Sequence, residues 1–296
     1  MVDGRAQKDG HSRHPSLVQL RFSQTTVHIG ALHSMKTRLK DTWAAGNAVV
    51  NGWLAIPNTV TAEVTAQAGF DSVLVDLQHG INDYQTAVQS FQAMASSDVT
   101  PMARVPWLEA GIIMKLLEAG AMGIICPMIN TPEDAENFVR YANYAPRGTR
   151  SFGPVRAAMA YGADYWTKAN EAIVTMAMIE TTQALDNLEA IVKTPNLTGV
   201  YIGPSDLSLS MGHTPKLDQD EPEVVAKITH IRETAHAAGI KVGIHCMSPT
   251  YARKMVEEGI LTLNSDGKVD LTAKGDAIIA ANSAADTIAS KSGSTI

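Results

Sequence analysis

The sequence predicts an α/β protein folded as a parallel, eight-stranded (β/α)8 TIM barrel, and three observations carry that expectation. Eight short apolar or β-branched runs alternate along the chain with eight helical patterns. The runs are nearly continuous in apolar character, as in a parallel sheet whose faces are covered by helices. Several helical patterns end in Ala-Gly or Glu-Gly just before the next run, the glycine stop of a helix C-terminus. A doubly wound open sheet would more often carry a glycine-rich phosphate loop after its first strand, and none follows the first run here.

In chain order, strands are expected at AVVNGWLAI from Ala48, SVLVDL from Ser72, TPMARV from Thr100 and GIICPM from Gly123. The next are IVTMAMI from Ile173, GVYIGP from Gly199, KVGIHC from Lys241 and LTLNSD from Leu261. The helical patterns that follow them are VTAEVTAQAG, YQTAVQSFQAMA, AGIIMKLLEAG, PEDAENFVRYAN, TTQALDNLEAIV, PEVVAKITHIRETAHAAG, SPTYARKMVEEG and LTAKGDAIIAANSA. Eight such units in about 260 residues suit one barrel.

The chain has 296 residues and is 45% hydrophobic, ample for a large core. Length alone would allow two domains, but barrels of this size form one. The net charge of −6 and the absence of a basic stripe argue against nucleic acid as a partner. No apolar run approaches the ~20 residues that span a bilayer. Cys126 and Cys246 sit inside apolar runs and read as reduced core residues, which suits a cytoplasmic compartment. Residues 1–34 differ from the rest, with four Lys/Arg, two acids and four His but little periodicity. They read as a disordered extension or an over-called translation start, and Met35 opens the regular pattern. The expected organisation is that extension followed by a single catalytic barrel over residues 35–296, with a tail SAADTIASKSGSTI that frays.

Active sites of this fold lie at the C-terminal ends of the strands. Strand 2 ends DLQHG, with Asp76, Gln78 and His79. Strand 3 ends on Arg104, strand 5 on Glu180 and strand 6 on GPSD with Asp206. Strand 7 ends HCM and strand 8 SDG. Two acids without a nearby Cys/His cluster suit a hard divalent ion, Mg2+ or Mn2+. Either acid alone could do no more than cap the helix it begins. Both together, at neighbouring strand ends with Arg104 and His79, favour the ion. In GPSDLSLSMG, Gly203 and Pro204 make a tight turn, and the N–H groups of Ser205 and Asp206 open a short helix suited to a carboxylate or phosphate. Arg104 could donate to a ketone oxygen as it becomes an enolate, or form a structural ion pair. His79, beside Asp76, is a candidate base. An imine-forming aldolase needs a lysine at the mouth, and no strand end carries one.

The segments DLQHG, ARVPW, GIICPMINTPEDAE, YAPRGTRSFGP, MIET and IGPSDLSLSMG resemble the HpcH/HpaI family of metal-dependent pyruvate aldolases over roughly Thr37 to Ala281. The pairing of Glu-Thr after strand 5 with Gly-Pro-x-Asp-Leu-Ser after strand 6 is specific. The resemblance implies reversible cleavage of 4-hydroxy-2-oxo acids to pyruvate and an aldehyde through a metal-stabilised pyruvate enolate. It also implies a homohexamer, a trimer of dimers with the last helix swapped between partners. By position, it makes Glu180 and Asp206 the ligands of Mg2+, Mn2+ or Co2+. Arg104 would contact the ketone, and the turn of Gly203, Pro204, Ser205 and Asp206 would hold the carboxylate. His79 would be the base, oriented by Asp76, and Glu118 would reach the histidine of a neighbouring subunit. On its own, Glu118 reads as a solvated helix-end acid, facing away from its own barrel mouth. Two departures stand out: Gln78 replaces an acid that orders metal-bound water, and Met178 replaces a polar contact to the bound acid. The alternatives are an oxaloacetate decarboxylase or a macrophomate-synthase-like former of carbon–carbon bonds. A CoA-ester lyase and a non-catalytic barrel that binds pyruvate and metal are more distant.

Overall fold

The computed structural model describes residues 35–259. Seven parallel strands form one sheet: β1 (Asn51–Leu54), β2 (Ser72–Asp76), β3 (Thr100–Arg104), β4 (Gly123–Cys126), β5 (Val174–Ile179), β6 (Gly199–Ile202) and β7 (Lys241–Ile244). They are hydrogen-bonded in sequence order, β1 to β7. Each lies inside the apolar run expected for it. Six flat inter-strand steps would hold the two sheet edges roughly 29 Å apart. Instead, the rings of Trp53 on β1 and His245, just past β7, have centroids only 4.5 Å apart. The sheet is therefore curled into a half-barrel. The expected eighth strand LTLNSD, the helix LTAKGDAIIAANSA, the tail and the segment 1–34 lie outside the described residues.

Helices surround the sheet, most of them on its convex face. They are α1 (Arg38–Ala44), α2 (Thr59–Gln67), α3 (Tyr84–Ala93), α4 (Ala110–Glu118), α5 (Pro132–Ala142), α6 (Val155–Tyr161), α7 (Tyr165–Ala172), α8 (Thr182–Asp186), α9 (Leu188–Ile191), α10 (Pro204–Ser210), α11 (Pro222–Ala237) and α12 (Pro249–Glu257). Their starts follow local chemistry. In α5, Thr131 accepts from the Asp134 N–H, Asp134 returns a bond to the Thr131 N–H, and Pro132 fills the first turn. The expected single helix over TTQALDNLEAIV is two short ones, α8 and α9. Asn187 at the break donates its side-chain amide to the carbonyl of Asn130, 2.9 Å away, and anchors the chain there. Helices α1, α6 and α7 have no counterpart in the expected set. The last two are short and are separated at Gly162, whose φ of 99° stops a helix.

The period of two in the strands sorts the core. Val73, Val75, Ala103, Ile124, Ala177, Ile179, Val200, Ile202 and Val242 face the helices. There α4 contributes Ile113, Leu116 and Leu117, each worth about 1.5–3 kcal/mol of burial. Leu74, Met102, Ile125, Val174, Met176, Met178 and Tyr201 point inward and fill the concave side. Leu39 and Trp43 of α1 join this inner cluster, together with Val49. Helix α1 is held there by Thr100, whose hydroxyl accepts from the Leu39 N–H and donates to the Lys36 carbonyl. It therefore plugs the end of the half-barrel where the strands begin.

Candidate active site

The same parity that points Leu74, Met102 and Met178 inward carries on to the strand ends. It puts Asp76, Arg104 and Glu180 on the concave side, together with Trp53, Gly203 and His245. Asp76 and Arg104 are register partners on β2 and β3. Their side chains form a two-point pair, Nε to Oδ1 at 2.8 Å and Nη2 to Oδ2 at 2.6 Å. Asp76 also accepts from the N–H groups of Gln78, His79 and Gly80 and from the Trp53 indole. Burial alone would raise the Asp76 carboxyl. The Arg104 bond and charge, with the Gln78 and Trp53 donors, outweigh it and hold the group below the usual carboxylate range.

The DLQHG turn closes this tightly because residue 80 is glycine. A Cβ there would lie 2.3 Å from the Asp76 carbonyl oxygen. Arg104 is buried, and its guanidinium carbon sits 4.8 Å over the Trp53 ring. With Nε and Nη2 engaged, Nη1 makes no hydrogen bond among the described residues. The ion pair weighed for Arg104 is present, and in it Asp76 orients the fork and leaves one edge free.

Glu180 is 2% exposed. Its Oε1 accepts from the Met128 N–H at 2.7 Å. Met128, after β4, has a φ of 55°, a left-handed conformation that costs a non-glycine residue energy and recurs at functional sites. On the other side Gly203 lets the main chain pass close by, since a Cβ there would lie 2.3 Å from Glu180 Oε2. Burial pushes the Glu180 carboxyl up to about 7, helped by the nearby Asp206 charge and opposed by the Met128 N–H and Arg104. Asp206 is exposed in the first turn of α10, after Pro204 and Ser205. Glu180 is thus a carboxylate short of positive charge, with a second carboxylate beside it. Among the described residues no three His, Cys, Asp or Glu gather into a cluster. A two-carboxylate donor set of this kind fits a hard divalent ion that takes its other ligands from water and substrate.

Two candidates stand differently from expectation. His79 is exposed, and Asp76 holds it by its main-chain N–H, at 3.4 Å, and not by its imidazole. Asp76 therefore bears on His79 through the main chain of the turn, its oxygens being taken by Arg104, Trp53 and the turn N–H groups. Glu118, ending α4, is half-buried and makes no hydrogen bond among the described residues. Burial pushes its carboxyl up, against the charges of Arg150 and Lys115. It is therefore not the fully solvated acid its helix-end position suggests. Trp53 was not singled out from sequence, and His245 was noted only as the strand-7 end HCM without a role, although the parity of β1 and β7 places both on the concave side.

Residues 51–273 match the family model described as HpcH/HpaI aldolase/citrate lyase. A hydroxypyruvate/pyruvate aldolase of Rhizorhabdus wittichii is 42% identical, covering 75% of this chain and 88% of that protein. A 4-hydroxy-2-oxo-heptane-1,7-dioate aldolase of Salmonella dublin is 34% identical, covering 83% of this chain and 94% of its own. Among solved structures, an HpcH/HpaI aldolase/citrate lyase family protein from Burkholderia cenocepacia superposes with a TM-score of 0.71 at 28% identity, covering 77% of this chain and 91% of that one.

Proposed function

The chain belongs to the HpcH/HpaI aldolase/citrate lyase family, and we propose that it is a class II pyruvate aldolase that reversibly cleaves a 4-hydroxy-2-oxo acid to pyruvate and an aldehyde. The observation that carries this reading is the facing of Arg104, clamped by Asp76 with its Nη1 edge free, and the cation-seeking carboxylate Glu180 on one concave wall. Glu180 and Asp206 would hold Mg2+, Mn2+ or Co2+. When bound, the ion supplies a Lewis acid that favours negative charge on the 2-oxo group.

The remaining work falls to side chains. The Arg104 Nη1 edge donates to the ketone oxygen and strengthens as that oxygen gains charge. The main-chain N–H groups at Ser205 and Asp206, after Gly203 and Pro204, receive the substrate carboxylate. His79 takes the 4-hydroxyl proton, and the C4–O bond becomes the aldehyde carbonyl. The C3–C4 electron pair moves onto the pyruvate half as an enolate, which is then protonated at C3. Asp76 acts through Arg104 and through the backbone of the His79 turn.

The finer architecture belongs to the same reading. An eighth strand closes the half-barrel, the last helix is swapped, and six chains assemble as a trimer of dimers in the cytoplasm. Glu118 serves His79 of a neighbouring subunit. Support comes from a half-buried Glu118 that lacks a hydrogen-bond partner among the described residues of its own chain. The test is to incubate the protein with pyruvate in heavy water, with and without chelator, and then with aldehydes, following products by mass. Metal-dependent C3 exchange and an aldol adduct are expected. Exchange that survives rigorous metal removal would overturn the mechanism.

A further inference from the structure

The catalytic reading leaves the inward-facing imidazole of His245 without a task. His245 follows β7 by one residue, and its main-chain N–H extends the pairing with β6 by donating to Ile202. Its ring packs edge-on against Trp53, with centroids 4.5 Å apart and planes at 77°. Trp53 in turn lies under the Arg104 guanidinium and donates to Asp76. The imidazole is therefore locked to the framework that holds the ketone-binding arginine. Both rings are half-buried. Neither nitrogen of His245 has a hydrogen-bond partner among the described residues.

Position tells which half of the substrate it would meet. Arg104 and Asp76 occupy β3 and β2, while Glu180 and Asp206 occupy β5 and the start of α10. The 2-oxo acid is thus held on the β2–β6 side of the mouth. Among the described residues, the β7–β1 side at the same height presents Trp53 and His245. Below them lies a wall formed by Tyr201 and Met176, with ring centroids of Tyr201 and Trp53 6.1 Å apart. The His245 imidazole is set among large aromatic and aliphatic side chains, and a polar group so placed fixes a ligand's orientation.

We propose that His245 is a specificity-determining residue that hydrogen-bonds a hydroxyl adjacent to the carbonyl of the acceptor aldehyde, selecting short hydroxyaldehydes over alkyl aldehydes of equal size. The inference rests on the aldolase reading above. Burial and the Arg104 charge push the His245 imidazole below its ordinary range, against the pull of Asp76 and Asp218. Near pH 7 the ring is neutral and offers one donor and one acceptor nitrogen. A hydroxyl can satisfy either. An alkyl group would leave both unpaired in a half-buried site, which costs affinity.

The experiment uses the full chain with Mg2+ and pyruvate, and compares glycolaldehyde with propanal, which has the same number of heavy atoms. The ratio of kcat/KM for the two acceptors is read for wild type, His245→Leu and His245→Gln. Any change in the pyruvate half or in the folded fraction cancels in that ratio. Wild type is expected to prefer glycolaldehyde, and His245→Leu to lose about tenfold of that preference. His245→Gln keeps a donor and an acceptor and should retain much of it. If His245→Leu does not fold, His245→Phe takes its place. An unchanged ratio in the apolar variant, or equal losses in the Gln and apolar variants, would overturn the proposal. A wild type that exchanges pyruvate C3 protons but shows no preference sinks the His245 role alone. One that neither exchanges nor forms an adduct refutes the aldolase reading itself, and the His245 role with it.

Discussion

Metal-free protein should grow less stable as pH rises through neutrality, and Glu180 is the cause. Its carboxyl is held up to about 7 in the folded chain against an ordinary value of 4.5, chiefly by burial. Between those two values the folded state carries a proton that the unfolded state has lost. Folding then takes up a proton, and stability falls with rising pH across that window. The shift corresponds to about 3 kcal/mol, fully present below pH 4.5 and lost above pH 7. The perturbation is Glu180→Gln, which preserves shape and still accepts from the Met128 N–H. Urea unfolding of the chelated wild type and variant, from pH 4.5 to 8, isolates the group as a difference, because Asp76 and the other titrating groups are common to both. The wild type should lose about 3 kcal/mol more than the variant over this range. Mg2+ at pH 8 should restore the wild type and leave the variant unmoved, since a cation beside Glu180 removes the penalty on its charge. Parallel pH profiles for the two proteins would refute the buried-charge argument.

Other expectations follow from the same wall. Arg104→Lys keeps charge but loses the fork that serves Asp76 and substrate together; kcat should fall ~100-fold or more, and near-normal turnover would assign Arg104 to structure alone. Gly203→Ala inserts a Cβ 2.3 Å from Glu180 Oε2, so calorimetric Mg2+ affinity should drop at a stability cost of about 1–3 kcal/mol. Unchanged affinity would dissociate Gly203 from the ion site. Glu118→Ala and His79→Ala, each impaired alone, should regain activity when mixed and reassembled, and verified mixed oligomers without recovery would end the shared-site idea.

Sequence legibility followed the degree to which each residue's setting is local. A charged residue ending an apolar run is visible in one dimension, so Asp76, Arg104 and Glu180 could be picked out directly. Their coupling was not visible: that Asp76 and Arg104 share a register position depends on strand pairing. Trp53, and the role of His245 at the strand-7 end, were hidden for a simpler reason. An aromatic in an apolar run looks like core, and only counting alternate residues from Leu74 or Tyr201 shows that they face the same space. The seven described strands were legible because each is short and nearly all apolar. Helices α6 and α7 were not, because each has only about two turns and a glycine divides them. The setting of Glu118 depends on Arg150, 32 positions later in the chain, and no local pattern reports it.

Among the described residues, α1 stops one end of the half-barrel. Leu39 and Trp43 fill the end where the strands begin, so in the proposed reaction the substrate approaches Glu180 from the opposite rim. In the proposed reaction the oxo acid lies innermost, against Arg104 and Glu180, and the aldehyde fragment lies nearer the exit. Approach from that rim would give the proposed reaction an order: the aldehyde leaves before pyruvate, and in the reverse direction pyruvate is seated first. A helix that never touches substrate would thereby bear on the sequence in which substrates come and go.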